Sequence, residues 1–216
     1  MRPQSIVLTI FAFIVLCAAG FACTPQGDPS VGPGGYTDDF DRDDLGDRWF
    51  NTGASWRIIA GQLNIRNARN RPLWLRRVLP HDARIEFDVR SESADGDIKC
   101  EIYGDGTSRA VSEEYTATSY VMIFGGWHNT LNGIARMDEH GQDRVMQPVG
   151  ANRVVPGQTY HMRVERRGDT VTSFVDDAQI ARMVDSSPLE GRGHDHFAFN
   201  DWEVELWIDN LRITPL

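Results

Sequence analysis

The stretch Arg84-Ile85-Glu86-Phe87-Asp88-Val89-Arg90 alternates charged and apolar residues at every step. A period of two belongs to a β-strand with one face on a core and the other toward water or a ligand. The same period recurs along the chain. Ile98, Cys100 and Ile102 alternate with Lys99, Glu101 and Tyr103. Tyr160, Met162 and Val164 alternate with His161, Arg163 and Glu165, and Val204, Leu206 and Ile208 alternate with Glu205, Trp207 and Asp209. Ala60-Gly61, Ala94-Asp95-Gly96, Arg167-Gly168-Asp169 and Asp176-Asp177 separate the runs and are turn signals. No segment beyond residue 22 carries a helical stripe. Many short strands with regular turns predict an all-β antiparallel sandwich or jelly roll.

The N-terminus reads differently. Arg2 precedes an apolar run from Ile6 to Leu16 and then Ala18, Ala19 and Gly20. That order is a secretory signal over residues 1–22. The run is shorter than the about 20 apolar residues of a membrane span. Residues 23–36, rich in Pro and Gly, read as a flexible spacer ahead of one domain over 37–216. Cys23 stands where the signal ends. Gly20-Phe21-Ala22-Cys23 resembles a bacterial lipobox, which implies a lipidated Cys23 and a membrane anchor; ordinary cleavage with a free thiol is the alternative. Cys17 leaves with the signal, so Cys100 has no disulfide partner inside the domain and reads as a buried, inert thiol.

Of 216 residues, 41% are hydrophobic and 25% charged, which excludes a wholly disordered chain. A formal charge of -9 repels phosphate backbones, and no cationic stripe offsets it, so nucleic acid is not an expected partner. Lys99 is the single lysine beside 21 arginines. This skew reads as base composition.

A resemblance to a known family rests on several ordered motifs. Asp38-Asp39-Phe40-Asp41 with Trp49, then Trp56-Arg57-Ile58 and Gly61-Gln62-Leu63, resemble the opening of concanavalin A-like lectin and glucanase domains. Tyr160 to Arg166, Val171 to Val175 and the turn Asp176-Asp177 resemble a hairpin of that family, with Asp177 where Gly is common. Trp207-Ile208-Asp209-Asn210-Leu211-Arg212-Ile213 resembles its last strand. The resemblance implies two packed, curved antiparallel sheets. The family holds lectins, glycan-binding modules, hydrolases and lyases, so the fold leaves function open.

Four groups of residues could carry function. Glu86 and Asp88 share one strand face with carboxylates roughly 7 Å apart, and Glu101 lies on the polar face of the next strand. Glycosidases need a carboxylate pair about 5 to 9 Å apart. Family glucanases carry a Glu-x-Asp-x-Glu strand, but Arg90 stands at the third position here. Those three are therefore weak catalytic candidates, and cross-strand ion pairs with Arg84, Arg90 and Lys99 are the plainer reading. Asp39, Asp41 and Asp209 are candidates for a structural calcium, which some related sandwiches hold; a solvated acidic turn is the alternative. His194-Asp195-His196 could hold a transition metal but reads first as a solvated loop.

The fourth group is the most informative. Tyr120 to Gly126 runs as a strand into paired glycines, followed by Trp127, His128, Asn129, Asn132 and Arg136. An indole with amides and a guanidinium suits a sugar, whose rings have apolar faces and polar rims. The alternative is a core-plugging Trp127 with turn-forming asparagines. No nucleotide loop or nucleophile elbow is present. The expected function is a lipid-tethered, exported module that binds carbohydrate or an envelope polymer. A polysaccharide-active hydrolase or lyase is the alternative. No cofactor is expected, with a structural calcium as the alternative.

Overall fold

The computed structural model describes residues 27–112 and 115–216. The signal over 1–22 and the lipidation candidate Cys23 lie outside those residues. Two antiparallel sheets pack face to face. The first contains β1 (Tyr36–Asp38), β3 (Arg57–Ile59), β4 (Gln62–Arg66), β6 (Ala83–Ser91), β11 (Thr159–Arg167), β12 (Thr170–Val175), β13 (Ala178–Val184) and β15 (Glu205–Pro215). Its order is β13-β12-β11-β6-β15-β4-β3, with β1 also on β15. The second contains β2 (Trp49–Asn51), β5 (Leu73–Leu75), β7 (Ile98–Gly104), β8 (Tyr120–Gly125), β9 (Leu131–Arg136), β10 (Arg144–Pro148) and β14 (His196–Asn200). Its order is β10-β9-β8-β7-β14-β5-β2. The all-β sandwich expected from the alternation is the observed fold.

The alternation sets the core directly. On β6, Ala83, Ile85, Phe87 and Val89 point inward and are buried, while Arg84, Glu86, Asp88 and Arg90 are half-exposed. Register with β11 places Phe87 beside Met162 and Ile85 beside Val164. Facing them, β14 contributes Phe197 and Phe199. The Phe87 ring meets Phe199 edge-on at 5.1 Å, and Phe199 stacks on Trp49 at 5.6 Å. Such aromatic contacts add to the burial of their area. Along β15 the inward set changes parity from Leu206 and Ile208 to Leu211 and Ile213. A bulge between Asp209 and Arg212, with Asn210 at φ 54, absorbs the shift.

The turns follow the sequence signals. Ala60 and Gly61 both take positive φ between β3 and β4, as do Asp176 and Asp177 between β12 and β13. These conformations match the strand twist in two-residue hairpins, and Asp tolerates them where Gly is absent.

The spacer expected over 23–36 is shorter than the composition suggests. Val31 is buried and donates its backbone N–H to Val78, whose own N–H is received by the Pro29 carbonyl. Gly35 turns into β1 at φ 78, where a Cβ would lie 2.5 Å from the Ile213 carbonyl oxygen. Pro and Gly here serve a fixed path along the sandwich, which composition does not distinguish from a loose linker.

Phe87→Ala is expected to lower the unfolding free energy by about 3–5 kcal/mol, because it empties an aromatic site in the core. Arg84→Ala removes only a part-exposed ion pair with Glu165 and should cost under about 1 kcal/mol. Urea denaturation of both variants checks this, and equal losses would contradict the two-faced strand.

Candidate functional site

The seven-stranded sheet is covered on its outer face as well as its inner one along its central strands β7 and β8. Every residue of β7 and β8 is buried. On the inner side β7 places Ile98, Cys100 and Ile102 in the core, where burial pushes the Cys100 thiol up and keeps it unreactive. The outer side carries Lys99 and Glu101. Part of that face is closed by residues on either side of 113–114: Trp74 donates its indole N–H to the Ser108 carbonyl, and Tyr115 and Ser119 donate hydroxyls to Glu101. The rest opens as a cavity of about 460 Å³.

Lys99 forms its floor. The ammonium Nζ lies 3.0 Å from Asn70 Oδ1, 3.4 Å from Glu139 Oε2 and 3.6 Å from Asp97 Oδ2. Burial penalises this charge, but Asp97 and Glu139 more than offset the penalty and raise its pKa. Asn200 links Asn70 to Glu101 through Nδ2 contacts of 3.2 and 2.8 Å. Asp97 accepts the backbone N–H of Trp202 at 2.7 Å, while burial, opposed by Lys99, raises its own pKa. Trp127, His128, His140, Trp202 and Glu203 complete the walls with Asp95 and Val204.

The loop that presents Trp127 is built from unusual backbone. Gly125, Trp127, His128 and Asn129 all have positive φ, so Gly126–Asn129 forms a left-handed turn. Side-chain-bearing residues adopt that region at a cost of roughly 1–2 kcal/mol each. Two asparagines hold it. Asn129 donates Nδ2 to the Ala94 and Val154 carbonyls and accepts the Val154 N–H. Asn132 accepts the Gly125 N–H and donates to the Asn152 carbonyl. Trp127 then meets His140 edge-on at 5.6 Å, with the Arg144 guanidinium 5.7 Å from its ring centre.

The expected ligand group therefore divides. Trp127 and His128 line the cavity. Asn129 and Asn132 are buried and support the loop from behind. Tyr120 points into the core, where its hydroxyl donates to Asp185 at 2.6 Å, and Arg136 reaches the same carboxylate at 2.9 Å. Those two side chains fasten β8 and β9 to the segment at 185–189. The expected catalytic group also divides, because β6 and β7 lie in different sheets. Glu86 and Asp88 sit on the outer face of the eight-stranded sheet, where His161 stands 3.6 Å and 2.8 Å from them. Glu101 is in the other sheet, 0% exposed and saturated by hydroxyl and amide donors. The run with spacing two that borders the cavity is Asp97, Lys99 and Glu101. Its middle residue is a cation, and one of its carboxylates is walled off.

The calcium candidates do not converge either. Asp39 accepts the Asp41 N–H, and Asp209 accepts Gln62 Nε2 and the Asn210 N–H. Among the described residues no three His, Cys, Asp or Glu side chains are gathered as a metal ion needs. His194 contacts the Thr118 carbonyl, whereas His196 pairs with Asp195 and Asp28. Asp38, read as one of an acidic run, is buried and accepts from Arg42, Trp49 and the Phe40 N–H, which hold its carboxyl below the usual range against the effect of burial.

Sequence reasoning missed Asn70, Asp97, Glu139 and Trp202, and it placed Lys99 on a solvated face. One signal was available: a chain with 21 arginines uses lysine once. A compact ammonium can sit among three oxygens where a planar guanidinium is too large.

Comparisons with known proteins bear on the fold. No family model matches the chain. An extracellular exo-alpha-L-arabinofuranosidase of Streptomyces chartreusis is 24% identical over 155 residues, 71% of this chain. The chain matches only 18% of that enzyme's length. Among solved structures, the carbohydrate-binding module CBM66 of Bacillus subtilis superposes with a TM-score of 0.58 at 15% identity, over 77% of this chain and 95% of the module. A Bacillus licheniformis beta-glucanase gives 0.60 at 8% identity, over 89% of this chain and all of the glucanase, 100%. The chain has the sandwich fold of these proteins, in line with the concanavalin A-like architecture.

Glu101 and Asp201 are both pushed up to about 7 by burial. Their ordinary values are 4.5 and 3.8. The folded state thus favours their protonated forms, and this contribution to stability is lost as pH rises through about 7. The melting temperature should fall as pH rises from about 5 to about 7 and level off above it, a window in which ordinary carboxylates stay ionised. Glu101→Gln should flatten that slope. An unchanged slope in differential scanning fluorimetry would contradict the buried network.

Proposed function

We propose that this domain binds carbohydrate in the cavity over Lys99. The observation that carries the reading is the pairing of two indoles, Trp127 and Trp202, with a floor of fixed amide, ammonium and carboxylate groups. Indole faces match the C–H faces of a pyranose, and the polar floor matches its hydroxyls. The volume suits one or two sugar rings. The likeness to a carbohydrate-binding module and a glucanase supports the same class of ligand. Binding is favoured over hydrolysis because Lys99 pairs with both Asp97 and Glu139 where a hydrolase would present two carboxylates flanking the bond.

Export and tethering complete the proposal. With Val31 packed on the sandwich and Cys23 eight residues ahead of it, a lipid on Cys23 would lie within a short reach of the domain. The extracellular relative supports export. The domain would then capture a glycan or envelope polymer beside the membrane that anchors it.

A glycan array probed with the chain identifies the ligand class. Trp127→Ala is expected to weaken the bound glycan by about 2 kcal/mol or more, roughly thirtyfold, with little change in melting temperature. A variant that binds as the wild type would remove the cavity as the site. A large thermal loss without a change in affinity would make Trp127 a packing residue.

Lipidation is tested separately. Wild-type protein should fractionate with membranes and carry an acyl mass on Cys23, and Cys23→Ser should release it, since dual acylation anchors strongly. An unmodified, fully soluble wild type would refute the tether.

A further inference from the structure

The cavity floor has more carboxylates than cations. Asp97 and Glu139 share the one ammonium of Lys99. Asp201 lies behind them, 0% exposed, with Oδ2 accepting no hydrogen bond among the described residues. At the rim, Asp95 faces only the exposed His128 ring, 3.3 Å away, and Glu203 is paired outward with Arg69. Lys99 donates to Asn70 and Glu139 and pairs with Asp97 at 3.6 Å, so its charge is already engaged by the floor. An anionic sugar entering here would meet carboxylates on several sides, and the two imidazoles that line the cavity, His128 and His140, already stand beside Asp95 and Glu139. A cationic one would meet carboxylates and the electron-rich faces of indoles, two environments that both stabilise an ammonium.

We infer that the preferred ligand is an amino sugar with a free ammonium group, held between the Asp95, Asp97 and Glu139 carboxylates and the Trp127 indole. This rests on the carbohydrate reading and narrows it. The ligand's charge replaces the cation that the floor lacks. Acetylating the amine removes that charge, and a uronate reverses it. Burial and the nearby Glu139 raise the Asp97 pKa against the opposing charge of Lys99.

Three tetrasaccharides with one β-1,4-linked gluco backbone test the inference, differing only at C2: ammonium in the glucosamine oligomer, amide in the N-acetylglucosamine oligomer and hydroxyl in cellotetraose. Calorimetric titration of the full chain near pH 6 should give the glucosamine oligomer an affinity at least about tenfold above the other two, as a charge-assisted contact implies. Added salt should narrow the gap. Asp95→Asn, at an exposed rim position, and Glu139→Gln, on the floor, should each narrow it further. Equal or tighter binding of the acetylated or hydroxyl oligomer overturns the inference and leaves the carbohydrate site in place. Absence of binding by the glucosamine oligomer also overturns it, and the glycan array then decides the broader reading by itself. A thermal shift with calcium chloride that Glu139→Gln abolishes would assign the missing cation to a metal ion and likewise overturn it.

Discussion

A sheet covered on both faces must solve a problem that a half-solvated sheet does not have. Its inner side chains can be apolar, but any polar side chain on the outer face loses water and must find partners within the protein. The seven-stranded sheet meets this condition along β7, where Lys99 is buried at the base of the cavity and Glu101 is closed off beside it. Asn70 and Asn200 answer it by bridging the two: one amide oxygen receives the ammonium, and one amide nitrogen reaches the carboxylate. The network ties β7 and the end of β14 to Asn70, ahead of β5, and to Tyr115 and Glu139 in the covering loops. Because it is buried, it also sets the charge at the base of the cavity before any ligand arrives.

The walls of the cavity depend on that arrangement through backbone contacts. The Asp97 N–H donates to the Gly125 carbonyl, and the Trp202 N–H donates to Asp97. Gly96 approaches Gly125 so closely that a Cβ would lie 2.5 Å from its carbonyl oxygen. The turn bearing Trp127 and the loop bearing Trp202 are thus both fastened to the start of β7. Left-handed backbone at three consecutive residues with side chains is costly, and Asn129 offsets part of that cost by satisfying three backbone groups at once. Tight support of this kind keeps an aromatic side chain in one place, which lowers the entropy lost on binding.

The eight-stranded sheet makes the contrast clear. Its outer face is open to water, so Glu86, Asp88 and His161 can form part-exposed ion pairs without further satisfaction. Arg84, Arg163 and Glu165 do the same nearby. These paired charges keep the face hydrated. Two sheets of similar alternating sequence therefore have different roles, and the loops that cover one of them decide which.

The sequence by itself determined the strands and the faces of most of them. Period-two runs such as Arg84 to Arg90 dictate which side chains enter the core, because a pleated strand leaves no other choice, and positive-φ turns at Ala60-Gly61 and Asp176-Asp177 join them. It also singled out Trp127 and His128, since paired glycines before an aromatic mark a loop that must turn sharply. What only the tertiary structure decided was which strands share a sheet and what covers them. Glu86, Asp88 and Glu101 look alike in alternation, yet β6 and β7 diverge into opposite sheets. Tyr120, Arg136, Asn129 and Asn132 carry the polar groups a ligand would want, yet the fold uses them on Asp185, Leu189, Val154 and Gly125. Lys99, Glu139 and Trp202 are far apart in the chain, and no local pattern links them. They meet because sheet order and loop closure are set by long-range packing, which acts between residues that the sequence does not place together.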